Sequence, residues 1–413
     1  ADLTKNDKSG TVGGFKLPIW SNSSQFEFVY KMRKLLESPQ ITQQLPKWID
    51  NVWGDKGNSF NQQRKHSILF TSPHIPKPVL SSKHITHQLS LQTSKPPISP
   101  DKGSMNSPSN SDVILASCFE NVIGVVMKDR IFFNKIIAGE KGISLLKAKI
   151  YRLENSLEDK ILFACGSSIL TYNKKLYLLT IFRSYTKAVQ KTIICSDPVF
   201  KAFDDAIFAY LADCSTICFF DISSSNSGGE SSSHFMPIIA DHDITLFEVS
   251  KKFGLVVYAT DNNDIFVCSL PSGNMINSVH LENAATRILI TECWGFVVIY
   301  SDNSPSNKGG CGEIVVLNVN GSLIKRQEFP YKIDYWKAIR SNEGFDYILF
   351  QYKADTLAAF EAMYPEKQCL LCDAKDMVEA NYLMNVEVIL IITKGGKIVV
   401  HPISLSSLFR EML

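Results

Sequence analysis

Residues 241–283, DHDITLFEVSKKFGLVVYATDNNDIFVCSLPSGNMINSVHLEN, decide the fold. Four short apolar runs stand in them: Ile244–Val249, Leu255–Ala259, Ile265–Leu270 and Met275–Leu281. Lys251-Lys252-Phe253-Gly254, Asn262-Asn263-Asp264 and Pro271-Ser272-Gly273 separate the runs, and these are residues that favour turns. Runs of β-branched and aromatic residues punctuated this way read as four consecutive antiparallel strands in about 42 residues. The next stretch repeats the pattern, with Ile288–Thr291, Trp294–Tyr300, a Gly-rich loop over Ser301–Gly312, Ile314–Val319, Asn320-Gly321 and Leu323–Arg326. From Asp112 onward the apolar period is 2 throughout. The 302 residues from 112 to 413 make seven such units of about 43 residues, or six with insertions.

Four strands every 43 or so residues is the length and turn placement of a WD40-type blade. The expected fold is therefore mainly β, a WD40-like seven-bladed propeller over 112–413 preceded by a small helical segment. Asp241, His242, Asp264, Gly273, Trp294, Gly295 and Gly321 take the structural positions of the blade pattern. The pattern is eroded: Cys268-Ser269 and Leu317-Asn318 stand where Trp-Asp usually closes the third strand, although Asp241-His242 keeps the opening of the buried hydrogen-bond network. A propeller must also be closed against exposed edges. The last unit offers three runs, Val378–Leu383, Val386–Thr393 and Gly396–Pro402, before Leu405–Leu413. His87–Gln92, or another piece near Asp112, is expected to supply the missing fourth strand.

Upstream, the period changes to 3.6. Ser24 with Glu27 has capping-box spacing, and Phe28, Met32, Leu35 and Leu36 follow on one helical face. Ser38-Pro39 opens a second helix, with Ile41, Leu45, Trp48, Ile49, Val52 and Trp53 in phase until Gly54 stops it. Two such helices carry more apolar surface than they can hide from each other, so they require a partner. Residues 81–111, with Pro96, Pro97, Pro100 and Pro108, read as a Ser/Pro-rich linker or surface strap. Charge divides at the same place. Residues 1–108 carry 14 Lys+Arg against 7 Asp+Glu, while the whole chain has 43 against 41, so the β segment is net acidic.

The helical segment resembles the C-terminal end of a BEACH domain. The resemblance rests on Leu17-Pro18-Ile19-Trp20, Phe28, Arg33-Lys34-Leu35-Leu36-Glu37-Ser38, Leu45, and Trp48-Ile49-Asp50-Asn51-Val52-Trp53-Gly54, with Gly10-Thr11-Val12 before them and Leu69-Phe70 and Pro73-His74 after. It covers residues 1–80 and departs from the family pattern at Asp55, Gly57 and Asn58–Lys65. The pair Trp294–Val298 and Val319–Ile324 is similar to a blade in the WD40 tails of BEACH proteins. The resemblance implies a structural role for Leu17, Pro18, Trp20, Phe28, Arg33, Leu36, Glu37, Ser38, Leu45, Trp48, Ile49, Asp50, Trp53 and Gly54. It further implies a non-enzymatic scaffold of vesicle and lysosome traffic, and an upstream BEACH body as packing partner. Ala1 is not an initiator Met and no apolar signal follows it, which reads as a piece of a longer chain.

The composition limits the alternatives. No apolar run reaches the roughly 18 residues of a membrane-spanning helix. A net charge of +2, with an acidic β segment, argues against nucleic acid as a partner. Ten cysteines, mostly in apolar runs, suit a reducing compartment, so a cytoplasmic protein is expected, peripheral on endosomal or lysosomal membranes through indirect association. Cys369-Leu370-Leu371-Cys372 has metal spacing but no second matching pair; Cys214, Cys218, His84 and His87 offer no ligand set either. No phosphate or nucleophile motif occurs, and Gly309–Gly312 follows no strand-to-helix turn. Ser223–Ser233 reads as a tolerated loop, and Lys31, Arg33, Lys34 and Lys47 as a solvated helix face. No catalytic residue, cofactor or metal is therefore expected, and protein partners are expected to dock on the propeller faces. The competing expectation is a propeller enzyme or lectin-like binder acting at the central channel, for which Asp241, His242 and Asp264 are the candidate groups.

Overall fold

The computed structural model describes residues 17–21, 24–36, 38, 41–47, 87–90, 113–139, 142–153, 160–195, 198–222, 235–302, 312–352 and 355–410. The chain divides into two compact units, Ala1–Ser82 and Lys83–Leu413.

In the first unit, Ser24 starts helix α1 (Gln25–Leu36) as the sequence predicts, its hydroxyl accepting from the Glu27 amide at 3.2 Å. The Ser24 amide donates to the Ser21 carbonyl at 2.8 Å, and the Glu27 carboxylate pairs with Lys31 at 2.7 Å, one turn along. Leu17 and Pro18 lead into a short 3-10 turn, Ile19–Ser21, which brings the Trp20 ring onto Phe28 with centroids 5.3 Å apart. Ser38 caps α2 (41–47), its hydroxyl accepting from the Ile41 amide at 3.4 Å. Only Glu27 and Tyr30 of α1 are buried, while Val29, Leu35, Leu36 and Leu45 are exposed, as is Arg33. Glu37, Trp48, Ile49, Asp50, Trp53 and Gly54, with the outlying blocks around Gly10 and Leu69, lie outside the described residues.

The second unit is a ring of seven four-stranded antiparallel sheets. Strand β1 (His87–Ser90) comes first in the chain. The blades then follow in order. The first holds β2 (Leu115–Phe119), β3 (Val122–Val126), β4 (Arg130–Gly139) and β5 (Gly142–Arg152). The second holds β6 (Lys160–Cys165), β7 (Ser168–Asn173), β8 (Leu178–Phe182) and β9 (Val189–Thr192). The third is β10 (Phe200–Ala202), β11 (Ile207–Leu211), β12 (Thr216–Asp221) and the two-residue β13 (Ile238–Ile239). Residues 241–283 form the fourth as read from sequence: β14 (Ile244–Ser250), β15 (Leu255–Thr260), β16 (Asp264–Ser269) and β17 (Met275–His280). The fifth is β18 (Ala285–Ile290), β19 (Val297–Asp302), β20 (Gly312–Leu317) and β21 (Leu323–Phe329). The sixth is β22 (Trp336–Arg340), β23 (Asp346–Tyr352), β24 (Thr356–Glu361) and β25 (Tyr364–Asp373), and the seventh is β26 (Met377–Leu383), β27 (Val388–Thr393) and β28 (Lys397–Pro402) with β1.

The ring closes through β1. It pairs antiparallel with β28 from His87↔Val400 to Ser90↔Lys397, supplying the outer strand that the last unit lacks. The closing strand thus sits inside the Pro-rich stretch 81–111, of which the remaining residues lie outside those described. A short helix α3 (Leu405–Arg410) follows β28 and buries Leu405 and Phe409, the latter packed on Tyr347 with ring centroids 4.9 Å apart.

Packing between blades explains the apolar runs. Each second strand is sandwiched by its neighbours: all six residues of β15 are buried, and five of six in β19 and β27. Continuous burial removes the alternation that a one-faced sheet would show. Outer strands differ: β17 has no buried residue. Clusters join consecutive blades, such as Val256 and Tyr258 with Ala209 and Phe219, and Val257 and Ile265 with Ile299 and Val315. Another joins the ends of the ring, Ile123 and Val125 with Leu390 and Ile392.

One expectation needs correcting. The run Trp294–Tyr300 is not all strand: β19 starts at Val297, and Trp294 and Gly295 form the turn before it. Gly295 has φ +69°, and a Cβ there would sit 2.4 Å from Val319 Cγ1, so the turn requires glycine.

Candidate functional site

The first strands of neighbouring blades, β2, β6, β10, β14, β18, β22 and β26, contact one another in a closed cycle, so they line the central channel. What these strands present decides what the channel can do. Two charged pairs cross from blade to blade. Lys201 on β10 reaches Glu248 on β14 at 2.7 Å, and Lys337 on β22 reaches Glu379 on β26 at 2.6 Å. The Lys337 ammonium also donates to the Cys118 carbonyl on β2 at 2.7 Å, tying three blades together. Tyr335 donates to the Ala380 carbonyl at 2.9 Å and accepts from the Ala380 amide at 3.1 Å. Arg287 on β18 donates to the Thr286 and Asp334 carbonyls at 3.0 and 3.3 Å.

Burial raises the Glu379 carboxyl above its ordinary range, against the pull of Lys337. At Lys201 burial pushes the ammonium down, but the Glu248 carboxylate outweighs it and the net shift is upward. Burial raises the Cys118 thiol to about 11. Both carboxylates carried by the channel strands, Glu248 and Glu379, therefore already have an ammonium against them. Two cavities open on the channel. One, of about 690 Å³, is bounded by the ends of β2, β22 and β26 and includes Phe119, Lys337 and Asn381. The other, of about 390 Å³, lies at the starts of β10, β14 and β22 and includes Lys201, Glu248 and Arg287.

The structure places the sequence candidates elsewhere. Asp241 and His242 stand exposed in the turn between β13 and β14, and do not open a buried network. Asp264 begins β16 and accepts or shares a hydrogen bond with His280 Nδ1 at 2.9 Å on the surface. None of the three lies on a channel strand. Gly273 lies in the turn between β16 and β17. Gly321 has φ +74° in the turn between β20 and β21, where a Cβ would meet Asn277 Cβ at 2.8 Å. Trp294 donates from its backbone amide to the Asp346 carboxylate at 2.8 Å and from Nε1 to the Gly344 carbonyl at 3.2 Å.

Asp346 is the buried acid that the eroded pattern concealed. It accepts from the Cys293 and Trp294 amides at 2.9 and 2.8 Å, pinning the fifth blade's turn to the sixth blade. Burial raises its carboxyl despite those bonds. Asp346 therefore supplies from the next blade a buried carboxylate link that Asp241-His242 does not make. Another buried charge sits at the second blade. Arg183 is 7 % exposed, lies over the Phe208 ring and donates to Ser168 at 3.3 Å, while its Nη2 has no partner among the described residues.

The paired channel residues had a signal in the sequence. Lys201, Glu248 and Glu379 are single charges inside short strands, Lys337 shares its strand with Arg340 alone, and the partners stand about one blade length apart. Cys369 and Cys372 lie half-buried on β25, with burial raising the Cys372 thiol to about 12. Cys214 is exposed and Cys218 half-buried. Among the described residues no group of three or more His, Cys, Asp or Glu side chains is placed to hold a metal ion. No helix among them is long and apolar enough to cross a membrane. His84, Ser223–Ser233 and Gly309–Cys311 lie outside the described residues.

Residues 1–95 match the family model of the Beige/BEACH domain, in agreement with the resemblance read from Leu17 to Gly54. The chain therefore joins a BEACH segment to a seven-bladed propeller. No curated protein matches the chain. Solved structures similar to it include Hsv2 of Kluyveromyces lactis, 13% identical over 68% of this chain and 90% of that one, with a TM-score of 0.43. The C-terminal WD40 domain of Sif2 is 12% identical over 71% and 96%, with a TM-score of 0.44. The Neurospora crassa Pan2 WD40 domain is 9% identical over 71% and 89%, with a TM-score of 0.47.

Proposed function

We propose that this chain is the C-terminal part of a non-enzymatic BEACH–WD40 scaffold whose propeller binds protein partners in vesicle and lysosome-related membrane traffic. The observation that carries the reading is the BEACH match over residues 1–95, which ends in the ring's closing strand β1, together with the closed ring built on the residues after it. The channel supports it. An enzyme or lectin-like binder at the axis needs carboxylates free to accept protons or sugar hydroxyls, and Glu248 and Glu379 are each held by a lysine. The exposed apolar residues of α1 support it too, because Val29, Leu35 and Leu36 need the cover that an upstream BEACH body would bring. Membrane association is then indirect, in a cytoplasmic protein peripheral on endosomes or lysosomes.

Proximity labelling with the intact protein in cells tests this. Trafficking proteins should be enriched, and the enrichment should disappear when residues 112–413 are deleted. Equal labelling with and without the propeller overturns the reading.

A further inference from the structure

The third blade has the shortest outer strand of the ring, the two residues of β13, pairing only Ile238 with Ile217 and Ile239 with Thr216. Beside it runs a groove of about 400 Å³ between the third and fourth blades, within the size range of binding sites. Its floor is aromatic and apolar: Tyr258 and Phe266, stacked with centroids 5.0 Å apart, with Cys268 beneath. Its walls are Met236, Ile238, Ile239 and Met275. Ile239 is 75 % exposed, Met236 62 % and Met275 61 %, a concentration of large apolar side chains at one blade junction.

One end of this groove is negative. Asp241 lines it directly, and three turns meet there. Ala240 donates to the Ser215 carbonyl at 2.9 Å, Ile244 to the Cys214 carbonyl at 2.6 Å, and Asp261 to the Asp243 carbonyl at 2.9 Å. These bonds bring together the turns that carry Asp213, Asp241, Asp243 and Asp261, of which Asp241 lines the groove itself, and the turns 212–215, 240–243 and 261–263 contain no Lys or Arg. Among the described residues none of the four carboxylates has an ion-pair partner, unlike Asp204, Asp264, Glu248 and Glu379. Uncompensated charge at the mouth of an apolar trough selects a ligand that carries both features.

We infer that the groove between the third and fourth blades is a docking site for an extended basic peptide whose apolar side chains enter over Tyr258 and Phe266 while its Lys or Arg residues face the aspartates around Asp241. This names the partner chemistry of one propeller face and rests on the scaffold reading only for its cellular role. The site is separate from the channel, so the channel charges can stay paired while it is occupied.

The test uses the full chain and a fluorescein-labelled ten-residue peptide alternating Leu with Arg, with a Glu-for-Arg peptide as comparison. Anisotropy should report binding of the basic peptide alone, weakening as salt rises. Ile239→Glu and Met275→Glu should each weaken it about tenfold, the equivalent of about 1.4 kcal/mol. The double change Asp241→Asn with Asp243→Asn should do the same, whereas Leu370→Glu, 63 % exposed on the sixth blade, should leave it unchanged. Bound peptide should also slow alkylation of exposed Cys214, which no loss of folding would mimic. Equal binding of the acidic peptide, or an equal effect of Leu370→Glu, overturns the inference. So does a change in sedimenting mass in the Ile239→Glu variant with unchanged peptide affinity, which would assign the groove to a second copy of the chain. Failure of the proximity-labelling experiment would leave these binding curves unaffected, so the two readings fail separately.

Discussion

The ring and the helical unit are built from similarly apolar elements with opposite outcomes. All six residues of β15 are buried, because a blade stands on either side of it. Of the twelve residues of α1 only Glu27 and Tyr30 are buried, and Ile19 just before it is 96 % exposed. A repeat architecture supplies every unit with neighbours of its own kind, so the ring is complete within its chain. A helix pair has one neighbour each, and its apolar face stays uncovered until something else packs on it.

The largest effect should come from reopening the ring. Gln88→Pro together with Leu89→Pro removes one ladder donor of β1 whichever of the two amides faces β28, and should give the largest fall in the thermal midpoint of the β signal in circular dichroism. An unchanged midpoint would mean that β1 does not hold the last blade. Breaking one channel pair comes next. Lys337→Met alone leaves Glu379 with its partner removed and should cost about 3 kcal/mol, whereas the double variant Lys337→Met with Glu379→Leu should recover much of it. Denaturant midpoints of the single and double variants measure this, and additive losses would refute the pair.

Asp346→Ala should cost about 2 kcal/mol by stranding the Cys293 and Trp294 amides, read from urea unfolding. Its pH dependence has a defined sign. The folded-state pKa is raised by burial, so the proton is held more tightly in the folded state and the contribution is most favourable below the unfolded value. That advantage is lost as pH rises through the folded value, and the wild-type minus Asp346→Asn difference should move in that direction. The smallest thermal effect belongs to the helical unit: Leu35→Ser and Leu36→Ser should move the ring's midpoint by the equivalent of less than about 0.5 kcal/mol. A large shift would mean that Leu35 and Leu36 contribute to the stability of the ring. At Cys214 a hydrogen bond to Asp243 raises the thiol, so Asp243→Asn should speed its alkylation at pH 8 and shift the onset of labelling to lower pH.

Much of the architecture was legible. The four runs of 241–283 mark β14 to β17 within a residue or so, and the deficit of one strand after Gly396 pointed back to His87, where β1 lies. Trp294 misled because an aromatic before a β-branched run looks like strand, while the amides around it are claimed by Asp346 from the next blade. Asp241 and His242 misled for the converse reason: a motif position implies burial only if its network partners exist, and here the turn is left in solvent.

Periodicity, turn chemistry and repeat length were enough to determine blades, a count of six or seven, and the helical character of the N-terminal segment, because each is a local property of consecutive residues; the structure fixed seven. Which charges meet across the channel, which outer strand is cut to two residues, and which aspartates gather at its end depend on residues some forty positions apart. Only closing the ring sets those distances, since the contact belongs to two neighbouring blades and to neither one alone.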